Sequence, residues 1–267
     1  MIRLENISAV FAQGTPDENR VIDNINLTIR KNEFVTVIGA NGAGKSTLYN
    51  IIAGALKPAS GKIYLRTDEG ERDITCEPEY KRARYIGRIF QNPLLGTAGK
   101  MTLEDNMTIC YKKGYRGLTI SLNKKRREIF RRQLKVLNMG LEDRLSDNVE
   151  QFSGGQRQAL TLLMSVMSSP RLLLLDEHPA ALDPRNAAAV MDLTVRFAEE
   201  YNLTVMMITH NMAHALEYGD RLLMLDRGTI ALDIVKDEKS KLSVGDVAAR
   251  FRDAHNKDLT ADSLLLQ

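Results

Sequence analysis

The chain has 267 residues, enough for one α/β domain carrying an inserted subdomain. Its 37 basic and 34 acidic residues leave a formal net charge of +3, which gives no reason to expect a nucleic-acid partner. Two cysteines, Cys76 and Cys110, exclude a disulfide framework and a four-cysteine zinc site, and point to a reducing, intracellular setting.

The opening stretch MIRLENISAVF lacks the apolar core of a signal peptide, and no segment approaches the ~20 apolar residues that span a bilayer. Work at a membrane would therefore go through a partner. Residues 2–10 and 20–30 read as antiparallel strands around a polar loop, Gln13–Asn19. Phe34 to Ile38 is continuously apolar and β-branched, as in a strand buried on both faces, and it runs into a glycine-rich loop. Helical spacing follows from Lys45 to Ala53, with Gly54 as the stop.

Ile63–Leu65 and Ile86–Phe90 read as strands, and Thr102 to about Glu150 as an inserted helical region. Arg171–Leu175 and Val205–Thr209 are further buried strands, separated by an amphipathic helix over Arg185–Tyr201. His214–Tyr218 continues as helix, Arg221–Asp226 and Thr229–Val235 pair through Arg227-Gly228, and Ser243–Phe251 is a short helix before a polar tail. Buried strands alternating with helices give an α/β fold with a mostly parallel core sheet. The expected domain covers residues 1–252, with the helical subdomain at about 92–168 and the tail at 253–267.

Gly39-Ala40-Asn41-Gly42-Ala43-Gly44-Lys45-Ser46-Thr47 fits G-x-x-x-x-G-K-[ST] in full, between a buried strand and a helix. Glycines let backbone N–H groups close around phosphate oxygens, and the helix offers its positive end to the same anion. Lys45 adds a point charge, and the Ser46 hydroxyl is a hard ligand for Mg²⁺. Leu172–Leu175 followed by Asp176-Glu177 puts two carboxylates at the end of a buried strand, where ligands of open α/β sheets bind. Asp176 suits Mg²⁺, and Glu177 can accept a proton from an attacking water. In Phe152-Ser153-Gly154-Gly155-Gln156, Ser153 caps a helix whose first N–H groups lie beside glycines, a second anion site. His210 follows another buried strand, so three strand ends would converge on one edge of the sheet.

Together these segments resemble the ATP-binding cassette, or ABC, ATPases from Leu4 to about Phe251. On that resemblance Gly39–Thr47 matches Walker A, Leu172–Asp176 Walker B, and Ser153–Gln156 the signature motif, with Phe152 where the family usually has Leu. Gln91 in IFQNP matches the Q-loop glutamine, which touches Mg²⁺ and the attacking water and senses the membrane partner. Ala181-Leu182-Asp183 matches the D-loop, His210 the switch histidine at the γ-phosphate, and Phe11 the aromatic that stacks on adenine. The resemblance implies a P-loop NTPase fold with an antiparallel β subdomain, a head-to-tail homodimer, and ATP held between Walker A of one subunit and the signature of the other. It also implies a groove bordered by Gln91 through about Met107 that receives a short permease helix.

The DEH, GRIFQNP, GTA and QALTLLM segments resemble a bacterial importer-like subgroup, paired with a separate permease and a substrate-binding lipoprotein, some of the aromatic amino acid type. That implies a subunit on the cytoplasmic face of the cell membrane that couples ATP hydrolysis to solute import. The alternative is a soluble ABC ATPase driving assembly of a cytosolic complex, as in iron–sulfur biogenesis. Intact Lys45, Asp176, Glu177 and His210 argue against a dead cassette. His210 and His214 have the spacing of a zinc pair but no third ligand is evident. The basic run Lys124–Arg127 with Arg131-Arg132 reads as a solvated helix face, with Ile129, Phe130, Leu134 and Leu137 inward.

Overall fold

Apolar residues at alternate positions build the first sheet. β1 (Ile2–Phe11) turns Ile2, Leu4, Ile7 and Ala9 inward, and β2 (Asn19–Ile29) does the same with Ile22, Ile25, Leu27 and Ile29. The two pair antiparallel, from Ile2 opposite Ile29 to Phe11 opposite Asn19. The computed structural model describes residues 1–111, 122–176 and 184–253. They divide into two compact units, one formed by Met1–Pro78 with the described residues from Met206 onward, the other by Glu79–Val205.

The first unit continues with β3 (Phe34–Gly39), α1 (Lys45–Ala53), β4 (Ser60–Thr67) and β5 (Gly70–Asp73). The antiparallel sheet has the order β2-β1-β4-β5. β4 is longer than its apolar centre suggests, and β5 carries no apolar residue at all; it pairs with β4 from Tyr64–Asp73 to Thr67–Gly70. The second unit holds α2 (Glu79–Arg82), β6 (Ile86–Ile89), α3 (Leu103–Tyr111), α4 (Lys124–Lys135), α5 (Gly154–Met167), β7 (Leu172–Asp176) and α6 (Pro184–Glu200). β6 and β7 are parallel, as buried strands linked through helices should be.

β8 (Thr204–Ile208) is buried along its whole length and leads back into the first unit. There follow α7 (Met212–Glu217), β9 (Arg221–Asp226), β10 (Thr229–Val235), α8 (Lys236–Lys239) and a helix over 244–253. β3 and β9 are parallel, and β10 folds back antiparallel on β9. Ile38, Ala215, Leu222, Met224, Ile234 and Val247 share one core cluster, so the last helix closes over α7 and the sheet. Ser243 and Asp246 cap its start reciprocally: each backbone N–H donates to the other's side-chain oxygen.

In α4, Phe130 and Leu134 are fully buried and Lys124, Lys125, Arg131 and Arg132 are exposed, the amphipathic face expected of it. Arg127 turns its guanidinium onto the Glu104 carboxylate with two hydrogen bonds of 2.7 and 3.1 Å. Ile129 is half-buried rather than fully inward.

Candidate functional site

In the first unit, β3 delivers its last residue, Gly39, into the loop before α1. Gly39 has φ 153°, and a Cβ there would stand 2.3 Å from the Leu225 carbonyl oxygen, because Gly39 pairs directly with Leu225 of β9. Gly44 begins α1 in the left-handed region at φ 96°, where a Cβ would meet Ile22 at 2.6 Å and the Val21 carbonyl at 2.8 Å. Side chains are thus excluded from both ends of the loop. Lys45 is 5% exposed, and its ammonium donates to the carbonyls of Gly39 and Ala40, each at 2.8 Å. Ala40, Asn41, Gly42 and Ser46 are exposed, Thr47 is half-buried, and Ala43 is buried. A buried cation, a helix N-terminus and an exposed serine are the parts of an anion cradle.

The turn between β9 and β10 braces this loop, which the sequence did not suggest beyond an Arg-Gly pair. Gly228 donates its N–H to the Ala43 carbonyl at 3.2 Å and accepts from Asp23 N–H at 3.0 Å. His210 stands exposed one residue beyond Thr209, whose N–H donates to Val37 of β3 at 3.1 Å. That places His210 at the end of the sheet where β3 meets its glycine loop. Asn211 then caps α7 by accepting from His214 N–H at 3.1 Å. Phe11 ends β1 with 43% of its surface exposed, so it is not a core residue.

In the second unit, Asp176 ends β7, and Gln91 stands exposed two residues beyond the neighbouring end of β6. Ile89 pairs with Leu175, so both side chains emerge at the carboxyl ends of parallel neighbours. Arg88 lies 3.8 Å from the Asp176 carboxylate.

Ser153 and Gln156 form a capping box at the start of α5: Ser153 Oγ accepts from Gln156 N–H at 3.2 Å, and Gln156 Oε1 accepts from Ser153 N–H at 3.0 Å. Gly154 is half-buried and Gly155 is buried against Asn186 of α6. Phe152 is 3% exposed beneath the Arg144 guanidinium, 4.6 Å from its ring, which explains how an aromatic serves at this position. A cavity of about 500 Å³ in this unit is lined by Tyr80, Arg84, Arg88, Ile109, Cys110 and Met164 among others. Glu177, the segment Ala181-Leu182-Asp183 and residues 254–267 lie outside the described residues.

A family model described as ABC transporter matches residues 22–180, from within β2 through the glycine loop and α5 to just past Asp176-Glu177. The chain belongs to the ABC transporter family. It is 41% identical to the tyrosine transport ATP-binding protein of Clostridioides difficile (strain R20291), over 94% of this chain and 98% of that protein. It is 32% identical to the phosphonates import ATP-binding protein of Lactococcus lactis subsp. lactis, over 90% of this chain and 96% of that one. A dimeric ATP-binding cassette solved in a post-hydrolysis state with ADP and Pi superposes with TM-score 0.73 at 28% identity, over 88% of this chain and 98% of that one.

As an ABC cassette, the chain is an ATP-binding and ATP-hydrolysing subunit with the α/β fold, antiparallel β subdomain and helical elements its sequence implied. Among the described residues, no helix is long and apolar enough to cross a membrane.

Proposed function

We propose that this ABC subunit powers import of an aromatic amino acid through a separate membrane permease, working as a homodimer on the cytoplasmic face. The observation that carries this reading is the 41% identity, over nearly the full length of both chains, with a tyrosine transport ATP-binding protein. The other relatives named for phosphonate, methionine and glycine betaine systems favour transport over a soluble assembly ATPase, and leave the solute to the end-to-end match. A substrate-binding lipoprotein would deliver the solute to the permease.

In this reading the loop Gly39–Thr47 holds the ATP phosphates, with Lys45 as their counter-charge, and Phe11 stacks on the adenine. Ser153, Gly154, Gly155 and Gln156 meet the nucleotide of the partner copy, with Asp183 beside them. The α5 N-terminus supports that role, because its cap residue, Ser153, is exposed at the start of the helix. Glu177 takes the proton of the attacking water, Gln91 orients that water, and His210 meets the γ-phosphate.

Magnesium fits the donors these positions offer: a serine hydroxyl, a carboxylate and an amide oxygen are hard ligands, and Ser46 and Gln91 are exposed. Ser46, Asp176 and Gln91 would hold it, and when bound it would offset phosphate charge. The cavity beside Tyr80 and Ile109, both more than half exposed, suits the short helix of the permease, although of the Gln91–Met107 border expected for that groove only Gly96 is among its described lining residues.

Affinity purification from native membranes tests the reading. Recovery of a multi-spanning permease, with tyrosine uptake in proteoliposomes that depends on ATP, supports it. A protein recovered with cytosolic partners alone contradicts it.

A further inference from the structure

Arg88 places a charge where β6 and β7 are otherwise apolar. It pairs in parallel register with Leu174, so Arg88 and Asp176 emerge on the same face of their strands. The two side chains are 14% and 16% exposed, and Arg88 Nη2 lies 3.8 Å from Asp176 Oδ2. The guanidinium sits over the Phe90 ring at 4.5 Å, and its Nε is buried with no hydrogen-bond partner. The same side chain forms part of the wall of the 500 Å³ cavity.

This arrangement is a poor way to gain stability. A guanidinium with an unpaired buried nitrogen loses solvation, and an ion pair at 3.8 Å has no short hydrogen bond to offset that loss. An unbranched apolar side chain would fill the place at lower cost. What Arg88 supplies is positive charge, beside the one carboxylate at the end of β7 that the proposed function assigns to the cation. It also supplies contact between that carboxylate and the cavity wall.

We propose that Arg88 is a positioning residue for Asp176: its guanidinium, part of the cavity wall, sets its charge beside the carboxylate and lowers the carboxylate's hold on a divalent cation. The inference rests on the assignment of Asp176 as a cation ligand. Repulsion between the guanidinium and the incoming cation, and competition for the same oxygen, both act in this direction. A group that shifted Arg88 from within the cavity would then change cation affinity without touching the nucleotide.

Mn²⁺ titration followed by electron paramagnetic resonance, on the full chain with ADP, reads the effect directly. Arg88→Met should tighten Mn²⁺ binding about tenfold, since a full charge is removed from beside the carboxylate. Arg88→Gln should do the same and replaces Arg88→Met if that variant fails to fold, and Arg88→Lys should stay near wild type. Combining Arg88→Met with Asp176→Asn should abolish the gain. Mn²⁺ affinity unchanged in folded Arg88→Met or Arg88→Gln protein, while Asp176→Asn weakens it, would overturn the role of Arg88. Affinity unchanged by Asp176→Asn alone would instead overturn the assignment of Asp176.

Discussion

The Lys45 ammonium donates to the Gly39 carbonyl at 2.8 Å, reaching back across the loop that separates the two residues. Ala40 accepts from the same nitrogen at 2.8 Å. Two carbonyl dipoles thus hold a nearly buried cation inside the loop. Phosphate oxygens carry full charge and attract an ammonium more strongly than neutral carbonyls do. Lys45→Ala should therefore weaken ATP binding by about 10- to 100-fold, the range for losing a charge-assisted contact. A fluorescent-nucleotide titration checks it, and unchanged affinity would remove Lys45 from the phosphate site.

Gly228 braces the same loop from the β9–β10 turn. A Cβ there would stand 2.5 Å from the Val21 carbonyl, at φ +80°. Gly14 has almost the same φ, +78°, with nothing within 4 Å of its Cβ position. Gly14→Ala should cost about 1 kcal/mol, from backbone strain alone, while Gly228→Ala adds a backbone clash and should cost about 2–3 kcal/mol. Urea denaturation of the two variants separates strain from clash. Equal losses would mean the brace yields freely.

Ser153 caps α5 and, on the proposed function, meets the nucleotide of the partner copy, two roles that substitution can divide. Ser153→Ala removes the cap on α5 and should cost about 1 kcal/mol, a shift of roughly 2 °C in a chain of this size. Ser153→Asp keeps a capping oxygen but adds charge that would repel phosphate. It should melt near wild type and lose most ATP hydrolysis. Full activity in Ser153→Asp would argue against phosphate contact at this helix start.

The sequence was most legible where burial and motif coincide. β3, its glycine loop and α1 stand out because a β-branched run, buried at all five residues before Gly39, leads straight into the loop. The capping box at Ser153 was half visible, from the serine alone; its reciprocal bond from Gln156 required the helix geometry. β5 was silent because Gly70-Glu71-Arg72-Asp73 is exposed at every position, so backbone pairing with β4 is what orders it. Arg82 is only 1% exposed, and nothing in its charge or its neighbours along the chain signals that burial. Gly228 carried a turn signal, but its bond to Ala43 joins residues that only the parallel pairing of β3 and β9 brings together. Glu177 and Asp183 rest on the motif alone.

Lys239 gives a pH signature. It is 3% exposed, donates to the Tyr218 and Gly219 carbonyls, and burial lowers its pKa to about 8. Asp220 opposes that shift and Lys236 adds to it. An unfolded lysine titrates near 10.4, so between about pH 8 and 10 the unfolded chain binds more protons, and stability rises with pH. Below pH 8 the buried charge is destabilising in full. Wild type should gain stability relative to Lys239→Met as pH rises from 8 to 10, measured by chemical denaturation at each pH. A constant difference would show that Lys239 is not titrating in this range.

On the proposed function, each chain supplies a nucleotide loop and a carboxylate base whose action needs a second copy. ATP turnover and oligomeric state of Glu177→Gln test it together. The variant should bind ATP as wild type does, run as a dimer in ATP by size-exclusion chromatography, and hydrolyse ATP at under about one-hundredth of the wild-type rate, the loss expected when a general base is removed. Near-normal hydrolysis, or a monomer in saturating ATP, would contradict it.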